Sequence, residues 1–127
     1  MRHVRTSLEI NASPDDVWRF LSIFEYWPTW GPTVVNVESE ATAVGPGVTG
    51  RVKTVAGFWL PFEITKVEPG RSWNWTVAGI PMTGHSIADL GDGRSDVEFT
   101  VPIVLAPYVI VLRSGLKRLK RLAERRP

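Results

Sequence analysis

The 127-residue sequence contains no cysteine, only two histidines and no apolar stretch long enough to span a bilayer. The absence of cysteine excludes disulfides and thiolate zinc sites, and it suits a reducing compartment. The longest apolar segment, VPIVLAPYVIVL at 101–112, is interrupted by two prolines. The first ten residues lack the apolar centre of a signal peptide. These absences predict one soluble, cytoplasmic domain covering residues 1–127.

Known chemical motifs are also missing. Both histidines stand apart from other residues at metal-ligand spacing, and we find no phosphate-binding loop or nucleophile elbow. The sequence therefore predicts neither a metal site nor a cofactor.

Positive charge is concentrated near the end of the chain. Residues 113–126 hold seven Lys or Arg against one Glu, whereas the other residues hold eight basic and twelve acidic side chains. Three interpretations remain open for this basic segment. It forms a solvated helix face, it makes a weak contact with an anionic membrane, or it binds nucleic acid. We expect no nucleic acid, because the sequence has no helix-turn-helix pattern.

The periodicity of apolar residues predicts the order of the elements. A strand is predicted over His3 to Ile10. A short helix follows, with Ser13 as its N-cap and Pro14 in its first turn, and FEYWPTWGP (24–32) predicts a second. Period-two patterns then predict strands near 34–40, 48–55, 62–68, 72–78, 82–90 and 94–101. Apolar residues at helical spacing predict a long C-terminal helix from Leu105 to Leu122.

This order indicates an α+β fold. A curved antiparallel sheet of about seven strands must cover its apolar face, and the long helix is the only predicted element large enough to do so. Two short helices lie between the first strand and the rest of the sheet.

The connections between the predicted strands differ in character at the two ends of the sheet. Those at 44–47, 68–71 and 91–94 are polar and Gly-rich, whereas AGFWLP (56–61), AGIPM (78–82) and PIVLAP (102–107) are apolar. Exposed connections are usually polar. Three apolar connections at one end therefore predict the mouth of an apolar cavity between sheet and helix. The alternatives are a plug of core residues or a dimer interface.

Candidate site residues follow from strand parity and from nearness to this mouth. His85 shares a strand face with Ile87, and it is the candidate acid or base; a hydrogen-bonded core histidine is the alternative. Asp89 shares that parity but lies near a turn. Trp18 and Trp27 are predicted to be core residues. The candidate ligand-binding residues are Trp30, Phe58, Trp59, Trp73, Trp75, Ile80, Met82, Tyr108 and Leu112.

The segment INASPDDVWRFLSIFEYWPTWGPTV (10–34) resembles the polyketide cyclase/dehydrase branch of the START-like (SRPBCC) superfamily. Its members typically show a strand ending I-x-A, a Ser/Pro helix start with V-W, and a W-P-x-W-x-P turn. The matching residues here are Ile10, Ala12, Ser13, Pro14, Val17, Trp18, Trp27, Pro28, Trp30 and Pro32. Looser matches extend the resemblance over nearly the whole chain. Ile23 departs from the pattern, since an acidic residue more often follows the first helix.

The resemblance implies a helix-grip fold with a cavity between the sheet and the C-terminal helix, gated by the two apolar hairpin loops. Family members bind lipids, polyketides, sterols, hormones or quinones, and some are cyclases. The first hypothesis is a carrier or sensor of a lipid, polyketide or isoprenoid-like ligand. The second is a cyclase or dehydratase that uses His85. The third, an interaction module that uses the apolar loop end, predicts a dimer without a cavity. The protein is a monomer or a homodimer under these hypotheses.

Overall fold

The structure is a computed structural model that describes residues 2–125. Met1, Arg126 and Pro127, which the predicted domain includes, lie outside the described residues. Seven antiparallel strands form one sheet in the order β1-β7-β6-β5-β4-β3-β2. The strands are β1 (His3–Ile10), β2 (Val34–Glu38), β3 (Thr49–Thr54), β4 (Trp59–Glu68), β5 (Ser72–Val77), β6 (Ile80–Gly91) and β7 (Arg94–Pro102). The predicted antiparallel meander is confirmed, and β1 joins it by pairing with β7.

Two short helices follow β1, as predicted. The first is α1 (Pro14–Ser22), where the Ser13 side chain accepts a hydrogen bond from the Asp16 amide at 3.2 Å. A 3₁₀ turn (Phe24–Tyr26) then leads into α2 (Trp27–Trp30).

The C-terminal helix α3 (Val109–Glu124) covers the sheet. Its buried stripe consists of Leu112, Gly115, Leu116, Leu119 and Ala123. Burying each leucine stabilises the fold by about 1.5–3 kcal/mol. The α+β helix-grip architecture is therefore confirmed. Within residues 2–125, no helix combines the length and the apolar character that crossing a membrane requires.

The end of α3 is attached to the chain between β1 and α1. Glu124 accepts hydrogen bonds from the Asn11 amide at 2.7 Å and from Lys120 Nζ at 2.5 Å. Partial burial alone would raise the pKa of Glu124, but these hydrogen bonds together lower the pKa below its ordinary value.

The long helix begins later than Leu105, where it was predicted to begin. Ile103–Tyr108 is a 3₁₀ segment, and the backbone of Leu105 leaves the helical region at φ −108° and ψ 21°. Pro107 lies in the same segment and cannot donate an amide hydrogen bond, but the break in helical geometry is at Leu105, two residues before it.

Two of the apolar connections are shorter than predicted, because β4 begins at Trp59 and β6 at Ile80. Ala78 and Gly79 alone join β5 to β6, with φ angles of 52° and 77°. Positive φ at both positions is typical of a tight type I′ hairpin turn. The apolar residues of AGFWLP therefore divide between an exposed turn and the start of a strand.

Candidate ligand-binding site

A cavity of about 60 Å³ lies between the sheet and α3. Its wall is predominantly apolar and includes four tryptophans. The partly exposed wall residues include Thr33, Met82 and Tyr108. They lie at the end of the sheet where β2, β4 and β6 begin and where β3, β5 and β7 end. We call this end the mouth.

Two of the tryptophans are held by the end of α1. Trp27 and Trp30 lie one helical turn apart on α2. Their indole N–H groups donate to the carbonyl oxygens of Leu21 and Phe20, each at 2.9 Å. The last carbonyls of a helix lack partners within the helix, so the W-P-x-W spacing caps α1 and places both rings in the cavity wall. Trp27, predicted as a core residue, is both buried and part of this wall.

Aromatic stacking organises one side of the cavity. Trp73 lies between Trp27, with ring centroids 5.0 Å apart, and His85, with centroids 3.8 Å apart. Phe99 meets the His85 ring edge-on at 4.9 Å. Strand pairing sets this arrangement, since His85 lies opposite Trp73 on β5 and opposite Phe99 on β7. The stacked rings restrict one another and shape the wall.

A chain of hydrogen bonds runs through the polar groups of the wall. Trp75 Nε1 donates to Thr83 Oγ1 at 2.9 Å, Thr83 Oγ1 lies 2.9 Å from His85 Nε2, and His85 Nδ1 lies 3.2 Å from the Trp73 carbonyl oxygen. A carbonyl oxygen only accepts, so we assign the ring proton to Nδ1. In the neutral ring Nε2 then accepts from the Thr83 hydroxyl. Both ring nitrogens of His85 are therefore satisfied.

Burial sets the ionisation of this histidine. It lowers the pKa of His85 from 6.5 to about 3, and the hydrogen bond to the Trp73 carbonyl opposes the shift only in part. The imidazole is neutral near pH 7, with its accepting nitrogen already occupied. A group with so low a pKa is a weak base and carries no acidic proton to donate at that pH. This state favours the interpretation of His85 as a hydrogen-bonded core histidine. Asp89, its predicted neighbour in parity, is exposed and accepts from the Gly91 amide at 2.8 Å.

A side-chain contact crosses the mouth. The Tyr108 hydroxyl lies 2.8 Å from Thr33 Oγ1. This contact connects the 3₁₀ segment before α3 to the loop before β2. The hydroxyl was predicted as a ligand partner, and in this structure it is occupied by Thr33.

One buried donor is unsatisfied. Trp73 is 1% exposed, and its Nε1 has no hydrogen-bond partner among residues 2–125. Leaving a buried donor unpaired costs about 1–3 kcal/mol. Among the cavity tryptophans, Trp27, Trp30 and Trp75 have partners for their indole N–H groups.

The structure brings together most of the predicted site residues and leaves three apart. The cavity wall contains Trp30, Trp73, Trp75, Met82, His85, Tyr108 and Leu112. Phe58 and Ile80 are 67% and 56% exposed and do not contribute to this wall. Trp59 also lies outside it, with its ring 4.4 Å from the Arg51 guanidinium. Because β4 includes Trp59, its side chain points away from the face that Phe62 buries.

Sequence reasoning missed several wall residues. Thr83 reaches the cavity alongside Met82, because the β5–β6 register shifts between Asn74 and Thr76. Such a bulge leaves no clear sequence pattern. Phe99 lies opposite His85 only because the β6–β7 register shifts between Asp89 and Gly91, so continuing the pairing from the GDGR turn would not have found it.

Gly115 was also missed, although an isolated glycine inside a helical pattern is a signal of close packing. A Cβ at this position would lie 3.3 Å from Pro32 Cδ and 3.4 Å from the Trp30 carbonyl oxygen. The glycine thus lets α3 approach the segment that follows α2.

The chain matches the family model of polyketide cyclase/dehydrase and lipid transport proteins over residues 1–124, and it belongs to that family. No curated protein matches the sequence.

Solved structures share the fold. XoxI from Bacillus cereus is 19% identical with a TM-score of 0.76, covering 96% of this chain and 95% of its own. Protein CV1439 from Chromobacterium violaceum is 19% identical with a TM-score of 0.74, covering 99% and 100%. The di-domain ARO/CYC protein BexL from the BE-7585A biosynthetic pathway is 16% identical with a TM-score of 0.72, covering 95% of this chain and 46% of BexL. At these identities the likeness is one of fold.

Proposed function

We propose that the protein binds a small hydrophobic ligand in the cavity between the sheet and α3, as a carrier or sensor that performs no chemistry. The observation that carries this proposal is the wall itself. It is apolar and aromatic, and its one histidine is neutral with both nitrogens occupied. Apolar walls with few polar groups are typical of small-molecule sites. Lipid transport in the description of the family agrees with binding as a function.

The volume of the cavity limits the ligand. Sites for drug-sized molecules commonly measure roughly 300–1,000 Å³, and an apolar cavity of roughly 150 Å³ holds benzene. The present 60 Å³ is smaller than either. Even one aromatic ring therefore requires wall residues to move, and a lipid, polyketide or isoprenoid requires more. Met82 and Tyr108 are the wall residues best placed to move, because both are partly exposed at the mouth.

The unpaired indole N–H of Trp73 suggests a preference for ligands that carry an oxygen acceptor. A ligand carbonyl near Nε1 would satisfy this donor and remove the cost of leaving it unpaired. A hydrocarbon of the same shape gains no such bond.

Acetophenone and ethylbenzene test both parts of the proposal, since they have similar size and differ in the carbonyl oxygen. Binding is measured by isothermal titration calorimetry and by quenching of tryptophan fluorescence. We expect both to bind, with acetophenone tighter by about two- to tenfold. Trp73→Phe should abolish the preference and keep binding. Trp18→Phe, outside the wall, is the matched control and should keep both.

Equal affinities for the two ligands would contradict the role of Trp73 alone. Failure of these ligands and of a wider set of hydrophobic fluorescent probes to bind would overturn the proposed binding function.

An enzymatic function is the second candidate, favoured by the polyketide cyclase/dehydrase description of the family. It would require His85 to exchange a proton with a bound substrate. Conversion of a reactive poly-β-carbonyl compound by the wild type, lost in His85→Gln without a loss of affinity, would replace the carrier proposal. We expect no conversion, because the pKa of His85 lies near 3.

A further inference from the structure

We infer that the hydrogen bond between Tyr108 and Thr33 is a latch that closes the mouth, and that a ligand enters when this bond breaks and the segment Ile103–Tyr108 moves outward. We call this segment the gate. The inference rests on the proposed binding function and concerns how that site is opened. It places the gate in the connection between β7 and α3, whereas the family resemblance implied the two apolar hairpin loops.

The hairpin loops are poor candidates for a gate, because both are tight turns. In the β3–β4 turn the Thr54 amide donates to the Phe58 carbonyl at 2.8 Å, and the Gly57 amide donates to the Thr54 carbonyl at 2.9 Å. The β5–β6 turn consists of Ala78 and Gly79 alone. Neither turn contributes a residue to the cavity wall. Opening either turn would therefore disrupt strand pairing without widening the wall.

The greater part of α3 is attached to β1 and does not open with the gate. Arg113 donates to the Ser7 carbonyl, and Lys120 Nζ donates to the Glu9 carbonyl at 3.2 Å. Glu124 adds the attachment to the chain after β1 that was described above. Because these three attachments are spread over about three helical turns, they hold α3 along the edge strand of the sheet.

The gate itself has few attachments. None of its six residues is buried, and Ile103 and Val104 are 48% and 81% exposed. The Ile103 amide donates to the Arg2 carbonyl at 3.0 Å, which ties down the start of the gate. At its other end Tyr108 is the only gate residue with a polar side chain, so the contact with Thr33 is the one side-chain hydrogen bond that the gate can make. Segments with little buried surface are the ones that open locally while the rest of the fold stays intact.

Thr33 is the fixed partner of the latch. Its carbonyl accepts from the Val55 amide at 3.1 Å, and the Val34 amide donates to the Gly31 carbonyl at 3.3 Å. Thr33 and Tyr108 both line the cavity, so separating them widens the wall at the mouth. An aromatic ring does not fit the closed cavity of about 60 Å³. Outward movement of the gate supplies the opening that such a ligand requires.

Stopped-flow measurement of tryptophan quenching by acetophenone tests the inference. Tyr108→Phe and Thr33→Val each remove one hydroxyl of the latch and keep the size of the side chain. Each should raise both the association and the dissociation rate about two- to tenfold. The affinity should change by less than about twofold, because the bond re-forms once the ligand is inside. The double variant should match the single variants, since all three lack the same bond. Tyr26→Phe, at the other tyrosine and outside the wall, is the matched control and should keep the wild-type rates.

Hydrogen–deuterium exchange of the ligand-free protein gives a second readout. Tyr108→Phe should speed exchange at the amides of the gate about two- to tenfold. Exchange at residues 113–124 should stay at the wild-type rate, because the attachments to β1 are unchanged.

Wild-type kinetics in both single variants, or rate increases that add up in the double variant, would overturn the latch. The proposed function would stand in that case, because acetophenone would still bind. Faster exchange along the whole of α3 would also overturn the latch, since the hydroxyl would then stabilise the helix rather than the closed mouth. A wild type that binds neither acetophenone nor the hydrophobic probes would refute the proposed function, and the gate with it.

Discussion

His85 illustrates how burial sets the chemistry of a single residue. Strand parity placed this side chain on the inward face, and the structure buries it there. The sequence did not reveal its partners, because Thr83 reaches the ring only through the bulge between β5 and β6. The same parity predicted the inward faces of Trp73 and Trp75, whereas Trp59 was misplaced because the start of β4 was predicted too late.

The pKa shift of His85 makes stability depend on pH in a defined window. The unfolded chain binds a proton at His85 below pH 6.5, whereas the folded chain resists it until about pH 3. The stability that the neutral, buried His85 side chain contributes to the fold is therefore fully present above pH 6.5 and is lost as the pH falls toward 3. Between these values the wild type should lose about 1.4 kcal/mol of unfolding free energy per pH unit from this group.

Urea unfolding of the wild type and of His85→Gln across this pH range measures that contribution. Near pH 7 the variant should have a lower free energy of unfolding than the wild type. As the pH is lowered, the free energy of unfolding of the variant should fall less steeply. His3→Gln, a change at the exposed histidine on β1, should retain the decline of the wild type. Parallel curves for the wild type and His85→Gln would contradict the assignment of a buried, neutral imidazole.

Turns decide the boundaries of the elements, and this is where sequence reasoning was least accurate. The Gly-rich turns at 68–71 and 91–94 were located correctly, because their polar composition differs from the adjoining strands. The β5–β6 turn was drawn too long, because Ala78 is not a typical residue for positive φ and because apolar residues follow it directly. The delayed start of α3 likewise follows a local break, at Leu105, that apolar spacing alone did not show.

The β5–β6 hairpin offers a prediction at this scale. Ala78 adopts a φ of 52°, a strained conformation for alanine, ahead of Gly79. Asparagine tolerates this region, and Asn-Gly is the preferred type I′ pair. Ala78→Asn should therefore raise the melting temperature, with a gain of about 0.5–1 kcal/mol. The matched control is Ala56→Asn in the β3–β4 turn, where φ is not positive; it should bring no gain. Equal effects of the two substitutions would exclude backbone strain as the cause.

At the scale of the whole molecule, the architecture was predictable and the size of the cavity was not. Seven strands with one apolar face and a single long amphipathic helix leave few arrangements that bury both. The free volume between them depends on how four tryptophan rings and His85 pack together. That packing is set by the close approach of Gly115 to Pro32 and by side-chain rotamers, and rotamers are not visible in sequence patterns.

Filling the cavity should separate its role in binding from its role in the fold. Val111 lines the cavity from α3, whereas its neighbour Ile110 is 76% exposed and lies outside the wall. Val111→Phe should occupy the space of about 60 Å³ and abolish binding of acetophenone, with a change in stability of less than about 2 kcal/mol.

Ile110→Phe adds a ring one position away and should leave the acetophenone affinity unchanged. Calorimetric titration and thermal unfolding of both variants give the two readouts. Binding that survives in a folded Val111→Phe protein would place the ligand outside this cavity. A loss of binding in both variants would instead assign the effect to the first turn of α3, and hence to opening of the mouth.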